Sequence, residues 1–438
     1  MWPWWEAGGL MLSLVIGLMA LGAPVAFAFL ITNIVGAYVF MGGFIGIEQL
    51  VGNTTEAVST FILVAIPMFI LMGNVFFHSG VAVNVIETLD RCFGKSRGRL
   101  AYIAVTSGTI FAALSGSNLA NTAMMGSLLG PEMERRGYSR ALTIGPVIGS
   151  GGLAILIPPS ALAVLLGSLA EINIGALLLA GLLPGVTLAA LYAGLIWMQL
   201  RWHPEAAPPY DVAPASLREK LRLIAQYILP MSLVVFCVVG LILLGIATPS
   251  ESAAFGVLAV LVLAAAYRRL DLEVIRKSLI ASLKVTTMVF FIILASKTFS
   301  QVLAFSGATS GFIRFATGFE LGALEMLLLM FLVLLILGMF VDAVSIMLLT
   351  IPIFFPIAEA VGIDVIWFGL VMLLAIEMSG TTPPFGLLLF VMLGVAPKGT
   401  RYMDVVRAAA PYLLCDAILL ALLILLPGLA LWLPSTAY

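Results

Sequence analysis

The stretch LLILGMFVDAVSIMLLTIPIFF, residues 334–355, is almost wholly apolar and contains a single charged side chain, Asp342. A helix that crosses a hydrocarbon core about 30 Å thick needs about 20 apolar residues, and several runs in this chain reach that length. Only 43 of the 438 residues are charged (21 Lys and Arg, 22 Asp and Glu), whereas a soluble protein carries about a quarter of its residues as charges. The sequence therefore predicts an all-α polytopic membrane protein.

The composition also argues against several classes of function. The net charge is −1 and there is no long basic tract, so nucleic acid is a poor partner. The three cysteines lie far apart in the sequence, and two histidines are too few for a haem site or a proton-relay cluster. The N-terminal segment MWPWWEAGG contains no basic residue, which argues against a cleavable signal peptide. We therefore expect the function to lie within the membrane.

The positive charges predict the orientation of the chain. Of the 21 Lys and Arg residues, 19 fall in five clusters, and the two exceptions are Lys297 and Arg314. The polar connections between the clusters are acidic or uncharged, so the positive-inside rule predicts cytoplasmic clusters and external chain termini. The first and fourth clusters are expected to lie near anionic lipid. The clusters span residues 91–99, 135–140, 201–222, 268–284 and 398–407.

The two halves of the chain match at an offset of 225 residues. The matched prolines are Pro24 with Pro249, Pro131 with Pro356, and Pro158–Pro159 with Pro383–Pro384. The basic segment 135–140 corresponds to residues 357–364, which contain no base, so equivalent loops are expected on opposite sides of the membrane. Inverted repeats with broken helices that meet at the midplane are a common plan among secondary transporters.

The predicted organisation has a first inverted repeat over residues 1–200, a cytoplasmic linker over 201–222 and a second inverted repeat over 223–438. Each repeat is expected to contain one re-entrant helical hairpin and one broken transmembrane helix, because segments such as 100–133 are too short for two crossings. The hairpins are predicted at about 100–133 and 323–356, and the broken helices at about 141–169 and 365–396.

Four polar interruptions break the apolar background. They are Ser115–Gly116–Ser117–Asn118 at the first hairpin tip, Asp342 with Ser345 at the second, and the proline-containing breaks at 151–160 and 379–384. Proline leaves carbonyl groups without a donor and glycine lets the backbone turn, so each pairing of a tip with a break offers oxygen ligands for Na⁺. Half-helix N-termini can meanwhile face a substrate carboxylate. The alternative is that these small residues only pack helices together and that the prolines only bend them.

The two pairings predict two Na⁺ sites. The residues expected to bind Na⁺ are Ser115, Ser117, Asn118, Gly152, Pro158, Asp342, Ser345, Gly380, Thr381, Thr382 and Pro383. The residues expected to contact the substrate are Asn118, Ser160 and Thr382. Asp342 is the strongest single candidate, as a Na⁺ ligand or a proton carrier, because a carboxylate in an apolar run costs several kcal/mol unless it is paired.

Two further charged residues lie in apolar surroundings. Glu377 precedes a helix break and is either a second acidic candidate or an acceptor for exposed backbone amides. Lys297 lies within FFIILASKTFSQVL and either contacts an anion or, as the simpler alternative, extends to the interface or faces a partner helix.

The motifs resemble those of a known family. They are ALSGSNLANTAMMGSLLGPEMERRGYSR (113–140), ILIPPS (155–160), GIATPSESAAFG (245–256) and GTTPPFGLLLFVM (380–392). In this combination and order the chain resembles, over essentially its full length, the large membrane subunit of tripartite ATP-independent periplasmic (TRAP) transporters. The first tip departs from the commoner form of the family by carrying Asn118.

The resemblance implies Na⁺-driven uptake of an organic acid, typically a carboxylate, by an elevator mechanism in the bacterial inner membrane. It implies a periplasmic substrate-binding protein and a small four-helix membrane subunit, which is not fused to this chain. The resemblance also places the family's Na⁺-site elements at Ser115, Ser117, Asn118 and the 152–159 break, and at Asp342 and the 380–384 break. No organic cofactor is implied.

Three other functions are weighed against this one. A stand-alone Na⁺- or H⁺-coupled carboxylate carrier of related architecture is the nearest alternative. An intramembrane serine protease with Ser115 or Ser117 as nucleophile lacks a histidine at a plausible depth. A passive channel has no need of inverted pairs of broken helices.

Overall fold

A computed structural model describes residues 2–94, 96–208 and 216–437, except for the side chains at 54–58, 62 and 115. The first half contains α1 (Trp4–Ala20), α2 (Val25–Phe40), α3 (Phe44–Val58), α4 (Ala65–His78), α5 (Val81–Phe93), α6 (Arg99–Ser115), α7 (Asn118–Arg135), α8 (Arg140–Leu156), α9 (Ala161–Leu169) and α10 (Ile174–Trp202). The second contains α11 (Leu217–Leu223), α12 (Leu229–Leu243), α13 (Pro249–Ala266), α14 (Leu272–Phe305), α15 (Ala308–Thr317), α16 (Ala323–Gly338), α17 (Ala343–Ala360), α18 (Val365–Thr381), α19 (Leu387–Val395), α20 (Tyr402–Leu425) and α21 (Gly428–Ala437). Short 3-10 turns at Phe61–Val64 and Pro204–Ala206 and a π turn at Ile224–Ile228 complete the secondary structure of these ranges.

The all-α prediction is confirmed, since the described residues contain no β-strand. Six helices in these ranges are long and apolar enough to cross a membrane, and treating each of two bent helix pairs as one span raises that number to eight. The chain is therefore a multi-pass membrane protein. The helices α6, α16 and α18 are apolar but have only 16 or 17 residues each, which is short for a full crossing.

Helix starts follow from local capping chemistry. Pro24 precedes α2, and Pro249 is the first residue of α13, where its missing N–H costs nothing. Thr248 and Glu251 form a capping box around the start of α13, with the Glu251 carboxylate accepting from the Thr248 amide at 2.8 Å. A proline therefore marks the start of α2 in the first half and of α13 in the second, and the capping box occurs at α13.

Three helices were not expected from the sequence. The segment 47–57, interpreted as a polar connection, belongs to α3. The amphipathic helices α5 and α15 follow Gly80 and Gly307, whose positive φ angles of 67° and 74° begin a new helix in another direction. At the first of these breaks α4 and α5 are bent by 66°.

One predicted surface charge is buried instead. Arg99 was expected at the membrane surface with the basic cluster 91–99, but its residue is only 1% exposed. Its guanidinium pairs with the Asp90 carboxylate at 3.0 Å and donates to the Gly94 carbonyl at 2.7 Å. The start of α6 is thereby tied to the end of α5. Lys95, in the same cluster, lies outside the described residues.

The two halves contain the same series of helices at a nearly constant offset. The helices α7 and α17 begin at residues 118 and 343, which differ by 225, and α8 and α18 begin at 140 and 365, which also differ by 225. The helices α9 and α19 begin at 161 and 387, a difference of 226. In each half two helices meet at a short turn, and the next two are separated by a proline-containing break. Their opposite orientation in the membrane and the domain limits remain predictions.

The interrupted helices form the centre of the molecule. Every residue of α8 from Leu142 to Leu156 is buried, as is every residue of α18 from Phe368 to Ser379. By contrast, α12 and α13 expose large apolar side chains, with Phe236 65% and Val262 60% exposed. Lipid or a partner helix can cover such a surface.

Candidate ion and substrate site

A cavity of about 790 Å³ lies where the interrupted helices of both halves meet. Its volume is in the range of sites for small organic ligands. The cavity wall contains both hairpin tips, part of the second helix break and the first residues of α9, which follow the first break, through Gly116, Ser117, Asn118, Asp342, Ala343, Ala161, Leu162, Ser379 and Gly380. The opposite wall is largely apolar and comes from α4 and α14, with Ile66, Ile70, Asn74, Val285, Met288 and Val289. The fold thus brings together polar segments that are more than 200 residues apart in sequence.

Four helices begin at this cavity. The first residues of α7, α9, α17 and α19 all contribute to its wall. Ser117 caps α7 by accepting from the Ala120 amide at 3.4 Å, and Ser160 caps α9 by accepting from the Ala163 amide at 3.2 Å. Backbone N–H groups at a helix start carry partial positive charge, so the four ends together favour an anion. The carbonyl ends of α6, α16 and α18 reach the same region and favour a cation.

The structure corrects the environment expected for Asp342. The sequence suggested a buried carboxylate that needs a counter-ion, but the residue is only half-buried. It caps α17, where its Oδ1 atom accepts from the amides of Val344 at 3.1 Å and Ser345 at 3.2 Å. Its Oδ2 atom accepts from the Ser345 hydroxyl. The helix start therefore stabilises much of this negative charge, and the residue lines the cavity.

Glu377 is the more deeply buried carboxylate at the site. It is 1% exposed and accepts from the Asn118 side-chain amide at 3.4 Å. A Cβ atom at Gly152 would collide with its Oε1 atom. The expectation that Glu377 accepts from backbone amides is not what the structure shows, because the donor is a side chain of the first hairpin tip. Glu377 thereby links the second broken helix to the tip and break of the first half.

The remaining predicted residues divide into two groups. Ser117, Asn118, Asp342 and Gly380 line the cavity. The others that the structure describes do not line it, and they are Gly152, Pro158, Ser160, Ser345, Thr381, Thr382 and Pro383. The Ser115 side chain lies outside the described residues. Of the predicted substrate contacts, only Asn118 therefore reaches the cavity.

The hydroxyl groups near the second break are held by the backbone. Thr381 Oγ1 donates to the Met378 carbonyl at 2.9 Å, and Thr382 Oγ1 donates to the same carbonyl at 2.6 Å. Each oxygen retains lone pairs, so each can still accept or act as a ligand. The breaks themselves contain cis peptide bonds at Pro158–Pro159 and Pro383–Pro384.

Two polar residues near the first tip were missed in the sequence. Asn121 and Thr122 are both fully buried, and Asn121 lines the cavity. Asn121 Nδ2 donates to the carbonyls of Gly108 at 3.2 Å and Ser150 at 2.9 Å. Neither Asn121 Oδ1 nor Thr122 Oγ1 has a hydrogen-bond donor or acceptor in the described part of the chain. Buried oxygens of this kind suit cation coordination. In the sequence, the polar pair Asn121 and Thr122 within LANTAMM, a pair that begins three residues beyond the tip, could have indicated these residues.

A second buried carboxylate was also missed. Asp416 in α20 is 3% exposed and accepts from the Tyr192 hydroxyl at 2.5 Å. It lies in the apolar run PYLLCDAILLALL, which presents the same signal as the run around Asp342. The carboxyl groups of Asp416 and Glu377 are close enough to interact electrostatically. The interior of the molecule therefore holds two buried acidic side chains, neither of which lines the cavity.

Comparisons with known proteins agree with this architecture. A family model described as the DctM component of tripartite ATP-independent periplasmic transporters matches residues 12–429. The C4-dicarboxylate TRAP transporter large permease protein DctM of Pseudomonas aeruginosa is 36% identical over 87% of this chain and 88% of its own length. The ectoine TRAP transporter large permease protein TeaC of Halomonas elongata is 29% identical over 98% of this chain and 99% of its own length.

A solved structure shares the fold. The YdaH transporter of Alcanivorax borkumensis superposes with a TM-score of 0.64 at 14% identity, covering 89% of this chain and 88% of that one. At that identity the likeness concerns the fold alone.

Proposed function

Because the chain belongs to the DctM component family of tripartite ATP-independent periplasmic transporters, we propose that it is the large membrane subunit of a Na⁺-coupled importer of organic acids. The family expected from the sequence motifs is confirmed over nearly the whole chain. The coupling ion, the substrate class and the mechanism are the proposal. The observation that carries it is the convergence on one cavity of both hairpin tips and of the two half-helices, α9 and α19, that follow the breaks.

The substrate proposal follows from the charge of the helix ends. Four helix N-termini line one cavity of about 790 Å³, and such ends bind carboxylates in other transporters with broken helices. The relatives named for C4-dicarboxylates and for ectoine make an organic acid the matching class. We therefore propose a carboxylate as the transported species, with Asn118 as a polar contact in the cavity wall.

The ion proposal follows from the oxygens at the same positions. The first Na⁺ site combines Ser117 and Asn118 with the C-terminal end of α8, which contains Gly152, and with the break at 157–160 that follows it. The second combines Asp342 and Ser345 with the break at 380–383. Carbonyl, hydroxyl and carboxylate oxygens are the ligands that hard cations prefer, and each pairing joins a tip to a break. Bound Na⁺ also offsets the negative charge of Asp342, which reduces the repulsion of a substrate carboxylate that enters the cavity.

The mechanism proposal is an elevator. The hairpins and broken helices, α6–α9 and α16–α19, would move together against α4 and α14. Several contacts cross between the two halves within that group, among them Asn118 with Glu377. The facing wall from α4 and α14 is largely apolar at the cavity, with Ile66, Ile70, Met288 and Val289. An apolar wall makes few directional hydrogen bonds, which allows one group of helices to slide along another.

The proposed partners are a periplasmic substrate-binding protein, which delivers the acid, and a small four-helix membrane subunit in the bacterial inner membrane. The exposed apolar faces of α12 and α13 offer a surface for that subunit or for lipid, with Leu233 58% and Phe236 65% exposed. A chain that needs both partners differs in this respect from a stand-alone carboxylate carrier.

The test is uptake into proteoliposomes. A thermal-shift screen of an acid library on the purified binding protein first identifies the acid. Vesicles with both membrane subunits are then given the loaded binding protein, with an inward Na⁺ gradient or with K⁺ in its place. We expect uptake only with Na⁺, and its loss when either partner is omitted. Uptake that persists in K⁺ contradicts the coupling, and uptake by this chain alone supports the stand-alone carrier.

A further inference from the structure

A second cavity, of about 600 Å³, lies apart from the site described above. Its wall comes from α3, α14, α17 and the connection between α9 and α10. Lys297, Ser300 and Gln301 of α14 lie on one side, and Glu171 and Glu359 contribute carboxylates. The volume is large enough for a small organic acid, and nothing in the proposed Na⁺ sites or substrate site uses these residues.

The position of this cavity follows from α14, which lines both cavities. Val289 lies in the wall of the main cavity and Lys297 in the wall of the second. The eight residues between them correspond to about 12 Å along a helix at about 1.5 Å per residue. The helix begins among basic residues and runs away from them, so the second cavity lies on the side that the positive-inside rule assigns to the exterior.

Lys297 contributes a basic side chain to the wall of this cavity. Its side chain is only 25% exposed, and its Nζ atom lies 3.3 Å from Oε1 of Glu171. The Glu171 side chain is 73% exposed, and the separation exceeds the roughly 2.7–2.9 Å of a strong charge-assisted hydrogen bond. An ion pair with one partner largely in water contributes little stability. Glu171 is therefore a partner that another carboxylate can displace.

Glu171 also adopts an unusual backbone conformation. Its φ angle is 57°, in the left-handed region that favours glycine. A glycine would make the turn between α9 and α10 more easily, whereas glutamate puts a carboxylate beside Lys297. The position of the Glu171 carboxylate at the cavity, and not the geometry of the turn, therefore accounts for a glutamate in this backbone conformation.

Further polar groups surround the ammonium. Ser300 lies one helical turn beyond Lys297, and Thr309 lies at the start of α15. Both hydroxyl-bearing residues line the cavity, and a hydroxyl can donate one hydrogen bond to a ligand. Asn53 Nδ2 donates to Gln301 Oε1 at 2.9 Å, which leaves the Gln301 amide group free to donate into the cavity.

The charge of the whole external face makes Lys297 distinctive. Lys297 and Arg314 are the two bases of the chain outside its five basic clusters. Arg314 is exposed and does not line the cavity. The same face carries Glu320 and Glu325, and Glu359 lies in the cavity wall itself, so Lys297 is the group there that can attract an anion once Glu171 is displaced from it.

From these observations we propose that the cavity around Lys297 is an external binding site for a carboxylate, which displaces Glu171 from the ammonium before the acid enters the main cavity. The existence of the site follows from the cavity and its residues, and its place in an import route rests on the proposed function. Ser300 and Thr309 donate to the same carboxylate.

The test measures occupancy directly. Ala304→Cys, at an exposed position of the cavity wall that supplies no proposed donor, is introduced in the complex of both membrane subunits, and its labelling by N-ethylmaleimide, a neutral reagent, is followed with increasing succinate. Protein without the new cysteine gives the background, and succinamide is the uncharged control. Choline replaces Na⁺, so that Na⁺-coupled binding at the main cavity does not contribute. We expect saturable protection by succinate and none by succinamide.

Charge variants then distinguish binding from a purely structural ion pair. Lys297→Gln should raise the half-protecting succinate concentration by about tenfold or more, the effect of losing one charge-assisted contact. Glu171→Gln should lower it, because the competing carboxylate is gone. Lys297→Arg and the external control Arg314→Gln should keep protection.

Three results would overturn the proposal. They are no protection by succinate, protection that survives Lys297→Gln, or a shift in the same direction for Lys297→Gln and Glu171→Gln. Because no uptake is measured, failure here is separate from failure of Na⁺ coupling.

Discussion

Asp342 and Glu377 are carboxylates near the same cavity, but different numbers of hydrogen-bond donors stabilise their charges. Asp342 caps α17 and accepts two backbone amides and the Ser345 hydroxyl. Glu377 is buried and accepts one long hydrogen bond from Asn118. A carboxylate at a helix start is already stabilised and still has lone pairs for an ion. Asp342 is therefore suited to bind and release Na⁺ without leaving an unpaired charge.

Asp342→Asn tests that role with little effect on the fold. Asparagine is as good an N-cap as aspartate, so we expect the thermal stability to change little. Loss of the charged ligand should raise the Na⁺ concentration for half-maximal uptake by roughly tenfold. The assay is uptake against Na⁺ concentration in proteoliposomes. Unchanged Na⁺ dependence would remove Asp342 from the ion site.

The chain offers a matched control for this substitution. Asp364 caps the neighbouring helix α18 by accepting from the Trp367 amide at 2.9 Å, and it is exposed and away from the cavity. Asp364→Asn makes the same chemical change at the start of a helix. It should leave the Na⁺ dependence as in the wild type.

The burial of individual residues at the site could not be predicted from the sequence. Asp342 and Asp416 each lie alone in an apolar run, yet one is half-buried at a helix start and the other is 3% exposed. The difference arises from the neighbours in space, since Tyr192 donates to Asp416 from a helix more than 200 residues away. The polar tip around Ser117 was predictable, because a short polar segment between two apolar runs has few other places in a membrane protein.

At the scale of elements, buried side chains join helices that are distant in sequence. Tyr192 of α10 and Asp416 of α20 form one such link, at 2.5 Å. The ring of Tyr192 packs on that of Tyr412, with centroids 5.1 Å apart. The Tyr412 hydroxyl, although buried, has no hydrogen-bond partner in the described part of the chain. Of these two neighbouring tyrosines, Tyr192 therefore contributes a hydrogen bond between helices, and Tyr412 contributes none within the described residues.

Tyr192→Phe and Tyr412→Phe make the same change with opposite expected results. Tyr192→Phe leaves the Asp416 carboxylate without its donor, at an expected cost of about 1–3 kcal/mol in the free energy of unfolding. Tyr412→Phe removes an unsatisfied group and should be neutral or stabilising. Thermal unfolding in detergent measures both. Equal stabilities for the two variants would show that the hydrogen bond does not hold α10 to α20.

The helices themselves were predictable to different degrees. The breaks in α8–α9 and α18–α19 follow from the proline pairs at 158–159 and 383–384, because proline ends an apolar run at a defined residue. The helices α5 and α15 were missed because their amphipathic sequences are too short and too polar to resemble a crossing helix. Their starts were marked only by Gly80 and Gly307.

In the whole molecule, the proposed mechanism divides the helices around the cavity into two groups. One contains the hairpins and broken helices, which share buried contacts such as that between Asn118 and Glu377. The other contains α4 and α14, which present a largely apolar wall to the cavity. Because equivalent helices are offset by about 225 residues, each group contains helices from both halves of the chain. The proposed elevator mechanism requires the first group to move as a unit while the second stays in place.

The most direct test of this claim is a pair of distance measurements by electron–electron resonance in nanodiscs with both membrane subunits. One pair of spin labels joins the groups, at Lys398→Cys beyond α19 and Leu283→Cys in α14, and both positions are exposed. The other lies within the moving group, at Lys398→Cys and Arg135→Cys. Between Na⁺-free buffer and Na⁺ with the loaded binding protein, the account predicts a shift of at least about 5 Å, one helical turn, for the first pair. It predicts no shift for the second. Unchanged distances for both pairs in a complex that transports, or equal shifts in both, would contradict it.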